Sequence, residues 1–393
     1  MVSRCGVSAH KAKNGQTNQV VITDAAAITA LGSNLAELWR GLLEGKSAIR
    51  PVTRFAVDGY SADVAACIDG LKPAGDRSMM HSLLERLFAD FGPIPRDAFL
   101  ITATAKAGID NLEALRRGHA VDWEDILLSS LAVAIVHQFG LRHCGVNISA
   151  ACASSTVAVA AGAGMIASGR TEAVLICCAD LVTEFIYSGF SALKALSPVP
   201  CKPFDCQRKG LSLGEGAAAL LLMSAERAQR EQRDPLGNIL GWGVANDATH
   251  ITAPAKSGSG LMQAIAQALK SANCVAEEIV AVSAHGTGTI YNDLMELTAL
   301  RQVFRERKIP VYSVNGAIGH TMGAAGGIEV VLGVKTLVHQ TVPPTVGFSI
   351  PEDGAEGRVS SEAQPICGGY LLTTNSGFGG VNAALIIGKQ ELC

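Results

Sequence analysis

The stretch SAACASSTVAVAAGAGMIASG, residues 149–169, sets a single cysteine, Cys152, among alanine, serine and glycine. The segment that follows is rich in Ala, Gly and Val and has no polar stripe, which fits a helix buried on all sides. Just before it, GVNIS (145–149) reads as a strand. Strand, tight turn and buried helix are the parts of an α/β fold, and Cys152 falls at the turn. A structural cysteine is ordinarily packed among bulky apolar groups. The neighbours here are too small to cover the sulfur, so an accessible thiol is expected. The free N–H groups and dipole at a helix N-terminus favour a thiolate and lower its pKa. The same N–H groups suit an oxyanion once an acyl group is attached.

Outward from this stretch, apolar runs alternate with helical patterns. VVITDAAAITALG (20–32), TEAVLICCAD (171–180) and AAALLLM (217–223) read as strands. A second series starts at NILGWGVANDA (238–248) and continues with the helix GLMQAIAQALKSA, then IVAVSAHGTG, PVYSVNG and GYLLTTNSG. The reading is an α/β chain of two similar halves, 20–236 and 237–393, divided near RDPLGN (233–238) and preceded by a polar segment, 1–19. Pro and Gly are dispersed rather than clustered, so no long linker separates the halves. The apolar TEAVLICCAD is read as an edge strand that pairs with its twin across a two-fold axis, giving a homodimer.

Composition narrows the setting. Of 393 residues 48% are hydrophobic and 17% charged, with 42 glycines and a net charge of −3. That balance gives no reason to expect nucleic acid or a membrane as partner. No apolar run reaches the roughly 18–20 residues of a membrane helix, and the N-terminus lacks the apolar core of a secretory signal. Eleven cysteines, an odd number scattered without metal spacing, read as reduced thiols in a cytoplasmic protein. HQFGLRHC (137–144) reads as a helix end with solvated histidines rather than a metal site.

A cysteine nucleophile needs a general acid or base, and histidine suits neutral pH. His285 in SAHGTGT and His320 in NGAIGHTMGAAGG each sit in a glycine turn directly after an apolar strand. Singly, each reads as structural. Three such loops ending strands on one side of a sheet read as a site.

With these residues the chain resembles an elongating β-ketoacyl-acyl-carrier-protein synthase of the thiolase superfamily. The resemblance rests on AACASS (150–155), ALSP (195–198), CKPFDCQRKGLSLGEGAAALLL (201–222), NDATHITAP (246–254), AHGTGTIYNDLMEL (284–297), GHTMGAAGGIE (319–329) and GFGGVN (377–382). It implies a layered α-β-α-β-α thiolase-like fold and a decarboxylative Claisen condensation. Cys152 is then the acylated nucleophile, and His285 and His320 bind the malonyl thioester carbonyl as neutral donors. Backbone N–H groups of Cys152 and Phe378 form the oxyanion hole, Phe378 gates the acyl pocket, and Thr287 and Thr289 hold a phosphopantetheine arm. Glu329 matches a family glutamate that orders the histidine network. Asp205, Arg208 and Glu215 read as loop-holding ion pairs, and Asp293 and Glu296 as props of the His285 loop. The implied partner is an acyl carrier protein, with no metal or redox cofactor.

Departures accompany the resemblance. Asn315 stands five residues before His320, where elongating synthases usually carry lysine, so the electrostatics around Glu329 and His320 should differ. NSGFGG is one residue shorter than the usual loop, and TATAKAG (102–108) replaces a glycine-rich segment. Together they imply a specialised synthase. One alternative is a non-catalytic, chain-length-setting partner subunit in a heterodimer. Another is a thiolase, with Cys367 of ICGGY as base.

Overall fold

The computed structural model describes residues 18–390, so most of the polar 1–19 segment lies outside the described residues. Ten strands form the main sheet. In the first half they are β1 (Val20–Thr29), β2 (Phe99–Ala103), β3 (Val146–Ile148), β4 (Ala173–Asp180) and β5 (Gly216–Ser224). In the second they are β6 (Gly237–Asn246), β7 (Ile279–Ser283), β8 (Val311–Tyr312), β9 (Tyr370–Gly377) and β10 (Val381–Gly388).

The spatial order is β8-β7-β9-β10-β6-β1-β5-β4-β2-β3. Numbered within its own half, each set of five lies 3-2-4-5-1, with the same alternation of parallel and antiparallel neighbours. The halves are thus two copies of one arrangement, and their strands join in the main sheet where Val20–Ile22 meets Gly237–Ile239.

Three hydrophobic clusters define the layers. Helices α1 (Met79–Leu87) and α2 (Ser130–Phe139) cover the outer face of the first half through Leu83, Leu131 and Ile135, packed with Leu100 and Leu175. The helix α3 (Ser154–Ala167) is the buried segment read from the sequence. Helices α4 (Ser259–Ala272) and α5 (Ile290–Phe304) cover the outer face of the second half through Ile265 and Leu300. Between the halves lie α3 and α6 (Ala325–His339), whose Val159, Ile166, Ile328 and Val331 share a cluster with strand residues of both halves. The order α-β-α-β-α follows. Each large aliphatic side chain buried here contributes about 1.5–3 kcal/mol. Small residues make the central layer possible: a Cβ on Gly326 of α6 would collide with Thr156 of α3 and stand 2.7 Å from Asn375 Oδ1.

One expectation is overturned. TEAVLICCAD is no edge: β4 lies between β2 and β5, and all eight of its residues are buried. An unbroken apolar run marks a strand covered on both faces, whereas an edge carries polar residues. The outer strand of that half is β3, whose Val146 is 46% exposed. Strands β2 and β10 and helices α1, α5 and α6 join those read from the sequence, and α2 ends at Phe139 inside HQFGLRHC, with His137 and His143 exposed.

Candidate active site

Two topologically equivalent turns, each between the third strand of a half and its central helix, meet at the interface of the halves. In the first, Ala151 adopts φ +49, an uncommon conformation for a residue with a Cβ, and Cys152 follows it just ahead of α3. Ser154 pins this turn: its Oγ donates to Ala151 O at 2.6 Å and accepts from Ala150 N at 2.8 Å. In the second, Gly319 takes φ +68, where a Cβ would stand 2.5 Å from Leu213 O, and His320 follows. His320 is held by its backbone, its N–H donating to Ser212 O at 2.7 Å and its carbonyl accepting from Gly214 N at 3.0 Å.

His320 Nε2 lies 3.0 Å from Cys152 Sγ. The His285 ring stands edge-on to His320 with centroids 4.9 Å apart. The sulfur and one ring nitrogen of each histidine all fall within 4.8 Å of one another. Among the described residues no other group of three or more His, Cys, Asp or Glu has metal-binding spacing. All three line a cavity of about 380 Å³. Thr287 and Thr289 line the same cavity, their hydroxyls 2.9 Å apart, and the Phe378 ring lies tilted against Phe190 with centroids 5.9 Å apart.

Burial governs the electrostatics. Cys152 is only 7% exposed, and loss of solvent pushes its thiol up to about 12, against the pull of the Phe378 and Cys152 N–H groups. The expected open, low-pKa thiolate is therefore corrected to a buried neutral thiol that opens onto a cavity. The small neighbours leave the sulfur facing the cavity, but burial of the whole turn desolvates it, and desolvation outweighs the helix terminus. Desolvation also holds His320 down at about 4, and His285, with His320 beside it, well below the usual histidine range. Both rings are neutral at physiological pH.

The supporting residues sort by contact. Glu296 accepts from the N–H groups of His285 (2.8 Å) and Gly286 (2.7 Å), and burial beside Asp293 raises it to about 8. Asp293 accepts from Phe204 N at 2.8 Å. Asn315 donates to the carbonyls of His285 (2.6 Å) and Gly286 (3.2 Å). Its side chain thus grips the His285 loop rather than Glu329 or His320, because the chain turns at Gly319 between Asn315 and His320. Glu329 is buried, which raises its carboxyl well above the usual range, and it meets His285 only through Asn375. Glu215 pairs with Arg54, Arg208 with Glu352, and Asp205 accepts from Ser349 and Ile350. Cys367 is exposed and does not line the cavity.

Sequence reasoning missed Asn375, Asp180 and Phe190. Asn375 stood beside a quoted motif, in NSGFGG, yet an amide carries no charge to single it out.

The pattern described as Beta-ketoacyl synthase, N-terminal domain, matches residues 101–228, and the C-terminal domain of the same family matches 236–349. The chain belongs to the β-ketoacyl synthase family, condensing acyltransferases with a thiolase-like fold. A 3-oxoacyl-[acyl-carrier-protein] synthase 2 of Vibrio harveyi is 28% identical over 408 aligned residues, covering 94% of this chain and 98% of its own. The ishigamide ketosynthase/chain length factor superimposes with a TM-score of 0.87 at 28% identity, over 95% of this chain and 100% of its own. A beta-ketoacyl synthase from Burkholderia phymatum does so with 0.86 at 26%, over 95% and 100%.

Proposed function

We propose that this synthase joins an acyl thioester to a malonyl thioester, both on an acyl carrier protein, through an acyl-Cys152 intermediate. The observation that carries the reading is the 3.0 Å contact of His320 Nε2 with Cys152 Sγ, with His285 beside them on one cavity. His320 takes the thiol proton as the sulfur attacks the acyl carbonyl, and returns it to the departing carrier thiol. The Cys152 and Phe378 N–H groups receive the carbonyl oxygen, and Phe378 moves to admit the chain. Thr287 and Thr289 bind the phosphopantetheine arm.

The malonyl C–CO₂ bond then breaks and its electron pair forms an enolate, whose oxygen accepts from His285 and His320. The enolate carbon attacks the acyl carbonyl, and the Cys152 thiolate leaves. Two neutral imidazole donors in a desolvated site are the arrangement this step needs, and each is worth several kcal/mol. Glu329 and Asn315 support the His285 side from behind. Neutral histidine at working pH is in keeping with the lowered values of both rings.

The protein acts as a dimer through the open β3 edge, with a second copy or a ketosynthase-like partner. A purely chain-length-setting role is disfavoured by the intact cysteine–histidine pair, and a thiolase by the position of Cys367. Mass spectrometry after incubation with a panel of acyl-carrier thioesters tests the reading. Acylation at Cys152, followed by CO₂ release and a 3-oxoacyl product on adding malonyl carrier, is expected. Acylation elsewhere, or none, overturns it.

A further inference from the structure

Asn375, on β9, joins three segments far apart in the chain. Its Nδ2 lies 3.1 Å from His285 Nδ1 and 2.9 Å from Glu329 Oε2, and its Oδ1 accepts from Thr156 Oγ1. The side chain is fully buried. With this orientation each amide hydrogen has an acceptor and the carbonyl has a donor, so the amide is satisfied on every side.

An N–H aimed at Nδ1 requires a lone pair there. A neutral ring with a lone pair at Nδ1 carries its proton on Nε2. His320 differs: its Nδ1 has no hydrogen-bond partner among the described residues, so nothing there commits its tautomer. The contrast matches the two tasks. His320 first accepts a proton from sulfur and later donates, whereas His285 only donates.

We infer that Asn375 is a positioning residue that locks His285 in its Nε2–H form, keeping a hydrogen-bond donor aimed at the enolate oxygen. The inference rests on the decarboxylative reading above. The opposite amide orientation would set a carbonyl against Nδ1 and move the ring proton to Nδ1, leaving no donor facing the cavity. The titratable groups around the ring are His320 and Cys152 in the cavity, Glu329 behind Asn375, and Glu296 on the far side of the loop backbone with Asp293 next to it.

Two measurements test this. In the unaltered protein, ¹⁵N NMR of the histidine rings, assigned by loss of signal in His285→Gln, is expected to show His285 neutral and protonated at Nε2. A proton on Nδ1 overturns the inference whether or not any variant folds. Asn375→Asp then places a carboxylate at Nδ1, which draws the ring proton there. At pH 8, CO₂ release from malonyl carrier should fall about 100-fold, the usual loss for one oxyanion donor. Acyl transfer to Cys152 should stay within threefold. As pH falls toward 6 the ring gains a second proton, recovers an Nε2–H, and CO₂ release should rise again. CO₂ release within threefold of the parent at pH 8, an equal fall in both steps, or a loss that low pH does not reverse would each refute it. If the unaltered protein neither acylates nor releases CO₂, the reaction reading fails instead, and the ring tautomer still decides the role of Asn375.

Discussion

Asp180 and Asn375 occupy corresponding places in the two halves, at or near the end of the fourth strand of each. Both reach the loop after the second strand of their own half and the central-helix region of the other. Asp180 accepts from Ala105 and Lys106 in its own half and from Gly323, just ahead of α6, across the interface. Asn375 touches His285 in its own half and Thr156 of α3 across the interface. The acid faces N–H groups that need an acceptor, and it serves as a clamp. The amide faces an imidazole nitrogen and a carboxyl, where a donor is required. The first half therefore contributes the Cys152 sulfur to the cavity, while the second contributes both histidines and the buried groups packed behind them.

The largest expected effect separates these contributions. Cys152→Ala should reduce condensation at least a thousandfold, since no acyl-enzyme forms. It removes little volume, so the fold should persist. CO₂ release from malonyl carrier, which the proposed reaction assigns to the histidines of the second half, should stay within tenfold. Loss of CO₂ release together with condensation, measured in one assay, would show that the halves do not divide the work in this way.

The outer edges of the sheet also differ. At one end, Val311 on β8 donates to Arg358 O at 2.8 Å and is buried, so the chain covers that edge itself. At the other end, among the described residues, β3 has no covering strand, and its Val146 is exposed. An open edge with apolar surroundings is a pairing surface. Light scattering of the purified chain should give twice the monomer mass, and Val146→Lys should weaken association at least tenfold. A monomer at micromolar concentration counts against pairing with a second copy, and a variant dimer as tight as the parent counts against pairing at β3.

Each half also has a buried acid gripping its second-strand loop, and the two titrate differently. Asp180 is raised to about 6 and Glu296 to about 8, both chiefly by desolvation. A carboxyl raised in the folded state stabilises fully below its unfolded value, and the contribution is lost as pH rises through the folded value. For Glu296 that window runs from about 4.5 to about 8. His320, lowered on folding, acts with the opposite sign between about 4 and 6.5, and His285, also lowered, acts with that sign below 6.5. Between pH 6.5 and 9 the carboxyl effect therefore stands alone. Urea unfolding should show stability falling with pH there, by about 2 kcal/mol from Glu296. Glu296→Gln should flatten that slope, and an unchanged slope would remove Glu296 as its source.

The sequence carried the site well and the sheet order poorly, for physical reasons. Cys152, His285 and His320 stand in glycine and alanine turns whose chemistry has few structural uses, so their convergence was legible. The repeated halves were legible from apolar runs of strand length. Hydrophobicity alone does not separate an edge from a central strand, and the unbroken apolar run of Ala173–Asp180 signals cover on both faces. Asn375 was invisible because its meaning lies in three partners, Thr156, His285 and Glu329, that only the fold assembles. The level of the Cys152 thiol was misjudged for a related reason. Local sequence shows the helix start but not the burial that desolvates the thiol.

The smallest expected effect concerns Asn315, which grips from the carbonyl side the loop that Glu296 grips from the N–H side. Lysine at this position could keep one donor for the His285 and Gly286 carbonyls. It would add a positive charge to a buried region whose acids, Glu296 and Glu329, are both raised. An opposite charge favours an ionised carboxylate, so Glu296 should titrate lower. Asn315→Lys should thus move the pH-dependent loss of stability to lower pH. The contact is to loop backbone rather than to a reacting ring, so the kinetic effect should be modest. CO₂ release should change by up to about tenfold, little more than 1 kcal/mol. Acyl transfer to Cys152, assigned in the proposed reaction to His320 and the Cys152 and Phe378 N–H groups, should stay within threefold. Single-turnover acylation and CO₂ release measured side by side decide the matter. Equal changes in both steps would mean that Asn315 acts on packing across the interface, not on the His285 loop.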